Sequence, residues 1–200
     1  MVYILAGVDL EHIVSYFDNP EHIEEYIKMA EGSDGRELIE ILKTWLKPSA
    51  TVLELGIGPG VDFELLSKDY RVTGSDYSQA FLDRYRQKNP DADLVLLNAV
   101  TMDIDRKFDC IYSNKVLHHL TRNDLKTSLH RQVQVLNDNG ILFHSFWFGE
   151  TDEEMHGLLF TYYTEETLRQ SIGDEYRILE MKQYTEMEDA DSLYLVLQKK

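Results

Sequence analysis

From position 51 onward the chain alternates short apolar runs with segments whose apolar residues recur at helical spacing. The runs predict strands over 51–55, 71–75, 93–97, 108–113 and 140–148, and the intervening segments predict helices beginning near Gly60, Ser78, Thr121 and Glu165. Such alternation argues for a parallel sheet with helices on both faces. The Thr121 to Asp124 tetrad fits a helix-starting capping box, and Asp138, Asn139 and Gly140 fit the stop at that helix's far end. Two later runs, 176–183 and 192–198, predict a closing pair of strands. Residues 1–50 predict a helical preface over 9–17, 20–31 and 35–46, with Asn19 as N-cap before Pro20 and a break at the GSDG turn. In the third of these helices Leu38, Ile39, Leu42 and Trp45 share one face, the spacing of a helix lying on a sheet. The expected organisation is one structural domain, with residues 1–50 as a helical cap and 51–200 as the core.

Composition narrows this picture. A length of 200 residues, 43% of them hydrophobic and 28% charged, suits one globular domain with a sizeable core. No apolar run approaches the roughly twenty residues of a membrane span, and the start lacks a secretory pattern, so no membrane partner and a cytoplasmic location are expected. The single cysteine, Cys110, falls in an apolar strand run and reads as a core residue. A net charge of −16 with scattered basic residues disfavours a nucleic-acid partner and favours a small molecule.

The candidate chemistry centres on TVLELGIGPG at 51–60, a strand closed by Glu54 and followed by Gly56, Gly58 and Gly60. Glycine reaches positive φ at no steric cost, so this loop can turn sharply and lie close to a ligand. About twenty residues after Gly56 a second strand ends in Asp76, where a carboxylate can grip ribose hydroxyls. A dinucleotide fingerprint would need glycine where Val61 stands, and Pro59 removes an N–H that a pyrophosphate would use. No Lys-Ser or Lys-Thr pair follows the glycines, which excludes a P-loop.

The E-x-G-x-G-x-G loop resembles the first motif of the class I S-adenosylmethionine-dependent methyltransferases. Three further regions resemble later segments of that family in the same order: VTGSDYS at 72–78, LLNAVTM at 96–102, and FDCIYSNKVLHHL at 108–120 leading to VLNDNGILFHSFW at 135–147. The resemblance implies a Rossmann-like, doubly wound α/β fold: a mostly parallel seven-stranded sheet, its last strand antiparallel, with helices on both faces and an N-terminal helical cap. It implies S-adenosylmethionine as cofactor and S-adenosylhomocysteine as product. Gly56, Ile57, Gly58 and Gly60 would present backbone to the cofactor, with Glu54 beneath them. Asp76 would hold the ribose and Tyr77 would lie beside the adenine. Asn98 stands where the family usually has aspartate; its amide oxygen could accept from the adenine amino group, and Ala99 and Val100 would line the adenine slot. Ser113 and Asn114 lie past the fourth strand, where this fold places ligands. Tyr26 and Met29 in the preface would close over the cofactor.

Methyl transfer asks the protein mainly to align donor and acceptor, and a base helps only a protonated acceptor. His118 and His119 are the candidate catalysts, and no metal is expected, because no Cys or carboxylate cluster has ligand spacing. Lys115, Phe146, Trp147 and Tyr162 are the candidate acceptor pocket, with Phe148, Phe160 and Tyr163 nearby, interleaved with Glu150, Asp152, Glu153 and Glu154. Aromatic walls suit a flat small molecule, and the carboxylates suit a cation. Methylation of tRNA or protein, a non-catalytic cofactor-binding role and a nicotinamide-dependent oxidoreductase are the alternative readings. Monomer and homodimer are both compatible with the sequence.

Overall fold

A computed structural model describes residues 20–29, 32, 34–155 and 157–200. The expected helix over 9–17, its neighbour Asn19 and the helix end at Glu31 lie outside the described residues. The elements run α1 (Pro20–Met29), α2 (Arg36–Leu42), β1 (Thr51–Leu55), α3 (Val61–Leu66), β2 (Arg71–Asp76), α4 (Gln79–Lys88), β3 (Leu94–Leu96) and β4 (Phe108–Asn114). A short 3-10 turn (Leu117–His119) follows, then α5 (Arg122–Val135), β5 (Leu136–Trp147), β6 (Glu153–Met155), β7 (Leu158–Phe160), α6 (Glu165–Arg169), β8 (Tyr176–Tyr184) and β9 (Ser192–Lys199).

Seven strands form one sheet in the order β3-β2-β1-β4-β5-β9-β8. β3, β2, β1, β4 and β5 pair in parallel, whereas β9 is antiparallel to both β5 and β8. The central strands are buried on both faces, so they read as unbroken apolar runs in the sequence. Side chains alternate across the sheet. Leu53, Ile111, Leu142 and Leu195 pack with Leu125 and Leu129 of α5, while Val52, Cys110, Tyr112, Phe143 and Tyr194 pack with Leu38, Ile39 and Leu42 of α2. On the second face the rings of Tyr112, Phe143 and Tyr194 stack in sequence, at 5.8 and 5.6 Å between centroids. Strand order reverses between β1 and β4, which puts a crevice at the carboxyl ends of those strands. Among the described residues no helix is long and apolar enough to cross a membrane.

The differences from the sequence reading are local. α5 ends at Val135 and β5 starts at Leu136, so Asp138, Asn139 and Gly140 do not stop a helix. They sit where the β4–β5 register jumps from Phe108↔Leu136 to Cys110↔Ile141, and Asn139 takes the positive φ of 60°. Trp45 leaves the buried face at 37% exposure, because the chain turns after Leu42 and Leu46 takes its place in the core. Thr121 caps α5 by accepting from the Asp124 N–H, but its hydroxyl bonds the Asp124 carboxylate, so only half of the expected box forms. A complete box joins Thr164 and Thr167 instead. The β6–β7 hairpin was not anticipated, since the charged run Glu150 to Glu154 hides a strand that lies exposed.

Candidate active site

The carboxyl ends of β1, β2 and β4 open onto a cavity of about 110 Å³. Gly56 and Gly58 form its first wall, Asp76, Tyr77 and Phe81 the second, Asn98 and Ala99 the third, and Lys115, Val116 and His119 the fourth. Tyr26 of α1 closes it from above and meets the Phe81 ring edge-on at 5.9 Å.

The glycine loop is fastened to β2 through its backbone. The Ile57 N–H donates to the Ser75 carbonyl at 2.9 Å, and the Gly60 N–H returns to the Ile57 carbonyl at 2.8 Å. Asp76 then ties the loop to α4: Oδ2 accepts the Gly58 N–H at 3.0 Å and Oδ1 accepts the Ser78 N–H at 2.9 Å. Gly58 holds φ of 46°, and only the Tyr26 ring comes within reach of the Cβ it lacks, so the backbone faces the cavity bare.

Two further acids, Glu54 and Asp62, lie buried within electrostatic reach of Asp76 or of each other. Glu54 is 3% exposed, and among the described residues its Oε2 has no hydrogen-bond partner. Burial first, and then Asp62 and Asp76, hold its pKa well above the ordinary range. Asp62 accepts from the Gly35 N–H, the Tyr112 hydroxyl and the Asn114 amide at 2.7, 2.9 and 3.1 Å, yet burial still raises its pKa. Burial likewise pushes Asp76 up to about 6 against the N–H bonds it accepts. Neutral N–H and O–H groups serve Asp62 and Asp76, and burial favours the uncharged acid at both.

The sign for stability follows. An acid whose folded pKa is raised keeps its full stability contribution below the unfolded value and loses it as pH rises through the folded value. The ligand-free protein is therefore expected to lose thermal stability as pH rises from about 4 to about 6, the interval between the ordinary and the folded value of Asp76. Affinity for a ligand that needs the ionised carboxylate should rise over the same window. Melting curves with and without S-adenosylhomocysteine check this, and parallel pH trends in both would contradict it.

Several expected residues are placed otherwise. The Ile57 side chain is buried against Phe63 and Leu82, and its N–H is already used. Gly60 is the N-cap of α3 rather than a cavity wall. Val100 turns into the main core. Asn98 Oδ1 accepts the backbone N–H groups of Val100 and Thr101 at 2.7 and 3.4 Å, so the oxygen expected to meet adenine is committed to its own turn. Ser113 is fully buried and bonds His144 Nδ1 at 2.8 Å, while Asn114 bridges Asp62 and Ser145. Phe146 is a core residue packed edge-on against Tyr163. Trp147 lies under the Lys115 ammonium and Tyr162 reaches toward Glu153, so neither borders the cavity. Lys115 does border it, but its Nζ is held at 2.7 Å by both Glu186 and Ser192. The side chain of Met29 lies outside the described residues. Of the two histidines only His119 reaches the cavity. Phe81, Val116 and Leu117 also line the cavity without a sequence signal, since nothing in a sequence marks an apolar wall.

Residues 52–140 match a family model described as a methyltransferase domain. No curated protein matches the chain significantly. Among solved structures, a Burkholderia thailandensis 1,6-didemethyltoxoflavin-N1-methyltransferase with bound 1,6-didemethyltoxoflavin and S-adenosylhomocysteine is similar at a TM-score of 0.80 and 20% identity, over 100% of this chain and 93% of that one. The N-methyltransferase NodS from Bradyrhizobium japonicum, in complex with S-adenosylhomocysteine, is similar at 0.70 and 15% identity, over 97% of this chain and 99% of that one. A S-adenosylmethionine-dependent methyltransferase from Clostridium acetobutylicum gives 0.70 and 14%, over 90% of this chain and 98% of that one. Glycine loop and strand order agree with the match: residues 52–140 are similar to the methyltransferase-domain family, and the chain has the fold of solved S-adenosylmethionine-dependent methyltransferases.

Proposed function

We propose that the chain transfers a methyl group to a small-molecule acceptor by direct in-line displacement. The carrying observation is the cavity that gathers Gly56, Gly58, Asp76 and Ala99. S-adenosylmethionine supplies a methyl carbon on a positively charged sulfur, together with an ammonium, a ribose diol and a flat base. Asp76 is the counterpart of the diol, and Tyr77 and Ala99 are the counterparts of the base. A second cavity of about 140 Å³ shares Gly58 and Phe81 with the first and carries Arg84 and Lys88, cations suited to a carboxylate. The chain's contribution is to hold, orient and exclude water, an alignment worth several kcal/mol of barrier.

A nicotinamide reading is disfavoured by Val61 and by the Gly60 N–H, which is spent on the Ile57 carbonyl rather than left for a pyrophosphate. A small acceptor is supported by the net charge of −16 and by the bound small molecule in the similar Burkholderia structure. Incubation with methyl-labelled S-adenosylmethionine and, separately, a cell extract's small-molecule fraction, its tRNA and its protein tests the reading. Label is expected in the small-molecule fraction; label confined to tRNA or protein would overturn it.

Helix α1 acts as part of a cap over the cofactor, with Tyr26 as its contact. Tyr26→Ala is expected to raise the dissociation constant for S-adenosylhomocysteine about tenfold, the worth of one aromatic contact. Calorimetry checks this, and an unchanged constant would remove Tyr26 from the site.

A further inference from the structure

The two histidines after β4 differ in what surrounds them. His119 Nδ1 lies 2.8 Å from the Leu159 carbonyl oxygen. A carbonyl only accepts, so Nδ1 carries the hydrogen and Nε2 of the neutral ring offers a lone pair. Burial lowers the pKa of this imidazole, which keeps it neutral and ready to accept. His118 is 2% exposed, and among the described residues neither of its ring nitrogens has a partner. One buried donor and one buried acceptor left unmet are costly and rare in native proteins, and phenylalanine would fill the same space without that cost.

Three rings surround His118. Its centroid is 4.0 Å from that of His119, 5.3 Å from Phe160 and 6.5 Å from Trp147, which meets it edge-on. Lys115 Nζ sits 3.4 Å from the Trp147 centroid and closes that side. Phe160 belongs to β7, whose hairpin with β6 forms a sheet of its own rather than joining the main one. The segment after β7 is tied down by the Thr161 N–H, which donates to the His118 carbonyl at 2.8 Å. A ring cage with an unsatisfied imidazole thus adjoins the cofactor cavity, with His119 as the shared wall.

We propose that this cage receives the methyl acceptor, a flat heteroaromatic with an N–H beside a ring nitrogen or carbonyl, and that His119 Nε2 accepts the proton of that N–H. The proposal rests on the chain being a methyltransferase. The ligand's ring takes the place beside His118 that Phe160 fills here, and its polar edge satisfies the His118 nitrogens. Adding a methyl cation equivalent to a ring nitrogen requires that nitrogen's proton to leave. The proton passes to His119 Nε2, giving an imidazolium whose Nδ1–H still donates to Leu159, and goes to water once the product departs. A base weakened by burial matches an acidic ring N–H better than an aliphatic alcohol.

The test uses the protein labelled with ¹⁵N at histidine and saturated with S-adenosylhomocysteine, titrated with lumazine, uracil and benzimidazole to about 2 mM, a range that detects weak complexes. At least one probe is expected to shift the ring nitrogens of both His118 and His119 saturably. His118→Phe should melt no lower than the parent, bind S-adenosylhomocysteine equally well and bind that probe at least about tenfold more weakly, the effect of one lost polar contact in a buried site. Phe160→Ala, which vacates the place the ligand's ring must take, should give the shifts at a lower probe concentration while keeping cofactor binding. The proposal is overturned if none of the probes moves the His118 nitrogens, or if both variants bind the probe as the parent does. Failure of S-adenosylhomocysteine to bind the parent protein would instead overturn the methyltransferase reading itself.

Discussion

Asp76→Ala is expected to weaken S-adenosylhomocysteine binding about 100-fold, or about 2.7 kcal/mol, while the protein still folds. The effect has two sources. A carboxylate at the end of β2 can accept from both ribose hydroxyls, and charged hydrogen bonds of this kind are worth about 1.5–3 kcal/mol. The same carboxylate also holds the Gly58 and Ser78 N–H groups, so its loss releases the glycine loop from α4. Asp76→Asn retains one acceptor oxygen and should lose about tenfold, between parent and alanine variant. Because burial penalises the ionised form, the asparagine variant should melt no lower than the parent at neutral pH. Calorimetric titration of the three proteins reads the series, and an alanine variant that binds like the parent would remove Asp76 from the ribose.

Gly60→Ala should be the most damaging single methyl in the chain. Gly60 caps α3 at φ of 90°, in the left-handed region, where a Cβ costs about 1–2 kcal/mol. The added carbon would also lie 2.1 Å from Tyr85 Cε2 and 2.3 Å from Cδ2. Tyr85 cannot swing away freely, being 7% exposed and packed edge-on against Phe63 at 5.4 Å. Overpacking of this kind adds about 1–3 kcal/mol, so a total near 3–4 kcal/mol is expected from chemical denaturation. Combining it with Tyr85→Ala should recover part of the loss, as a double-mutant cycle would record. A loss under about 1 kcal/mol would contradict the close approach of α4 to the loop.

How much of this was readable beforehand depended on the range of the interactions. The strands of the parallel sheet were legible because burial on both faces leaves continuous apolar runs, and α3, α4, α5 and α6 were legible from Gly60, Ser78, Thr121 and the residues before Glu165. The glycine loop, Asp76, Tyr77 and Ala99 reach the cavity because strand ends in this topology leave them little alternative. Ser113 and Asn114 also end a strand, yet their partners, His144, Asp62 and Ser145, lie on other elements and turn them inward. Lys115 is fixed by Glu186, distant in sequence, and its cation–ring contact with Trp147 ties both side chains to each other rather than leaving them free toward a ligand. Phe146 and Trp147 are neighbours on one strand whose successive side chains face opposite ways, a choice that composition does not encode. The β6–β7 hairpin was masked by its own acidic residues, and with it went the ring cage that Phe160 completes.

The central claim is that the cavity between Gly58, Asp76 and Tyr26 is a cofactor site for a sulfonium donor rather than a turn that happens to be rich in glycine. Calorimetric titration of S-adenosylhomocysteine and, separately, of NADH into the unmodified protein tests it most directly. Saturable 1:1 binding of S-adenosylhomocysteine is expected, with a dissociation constant below about 100 μM, or about −5.5 kcal/mol or better, and no binding of NADH. No heat from S-adenosylhomocysteine at about 1 mM, or tighter binding of NADH, would contradict it.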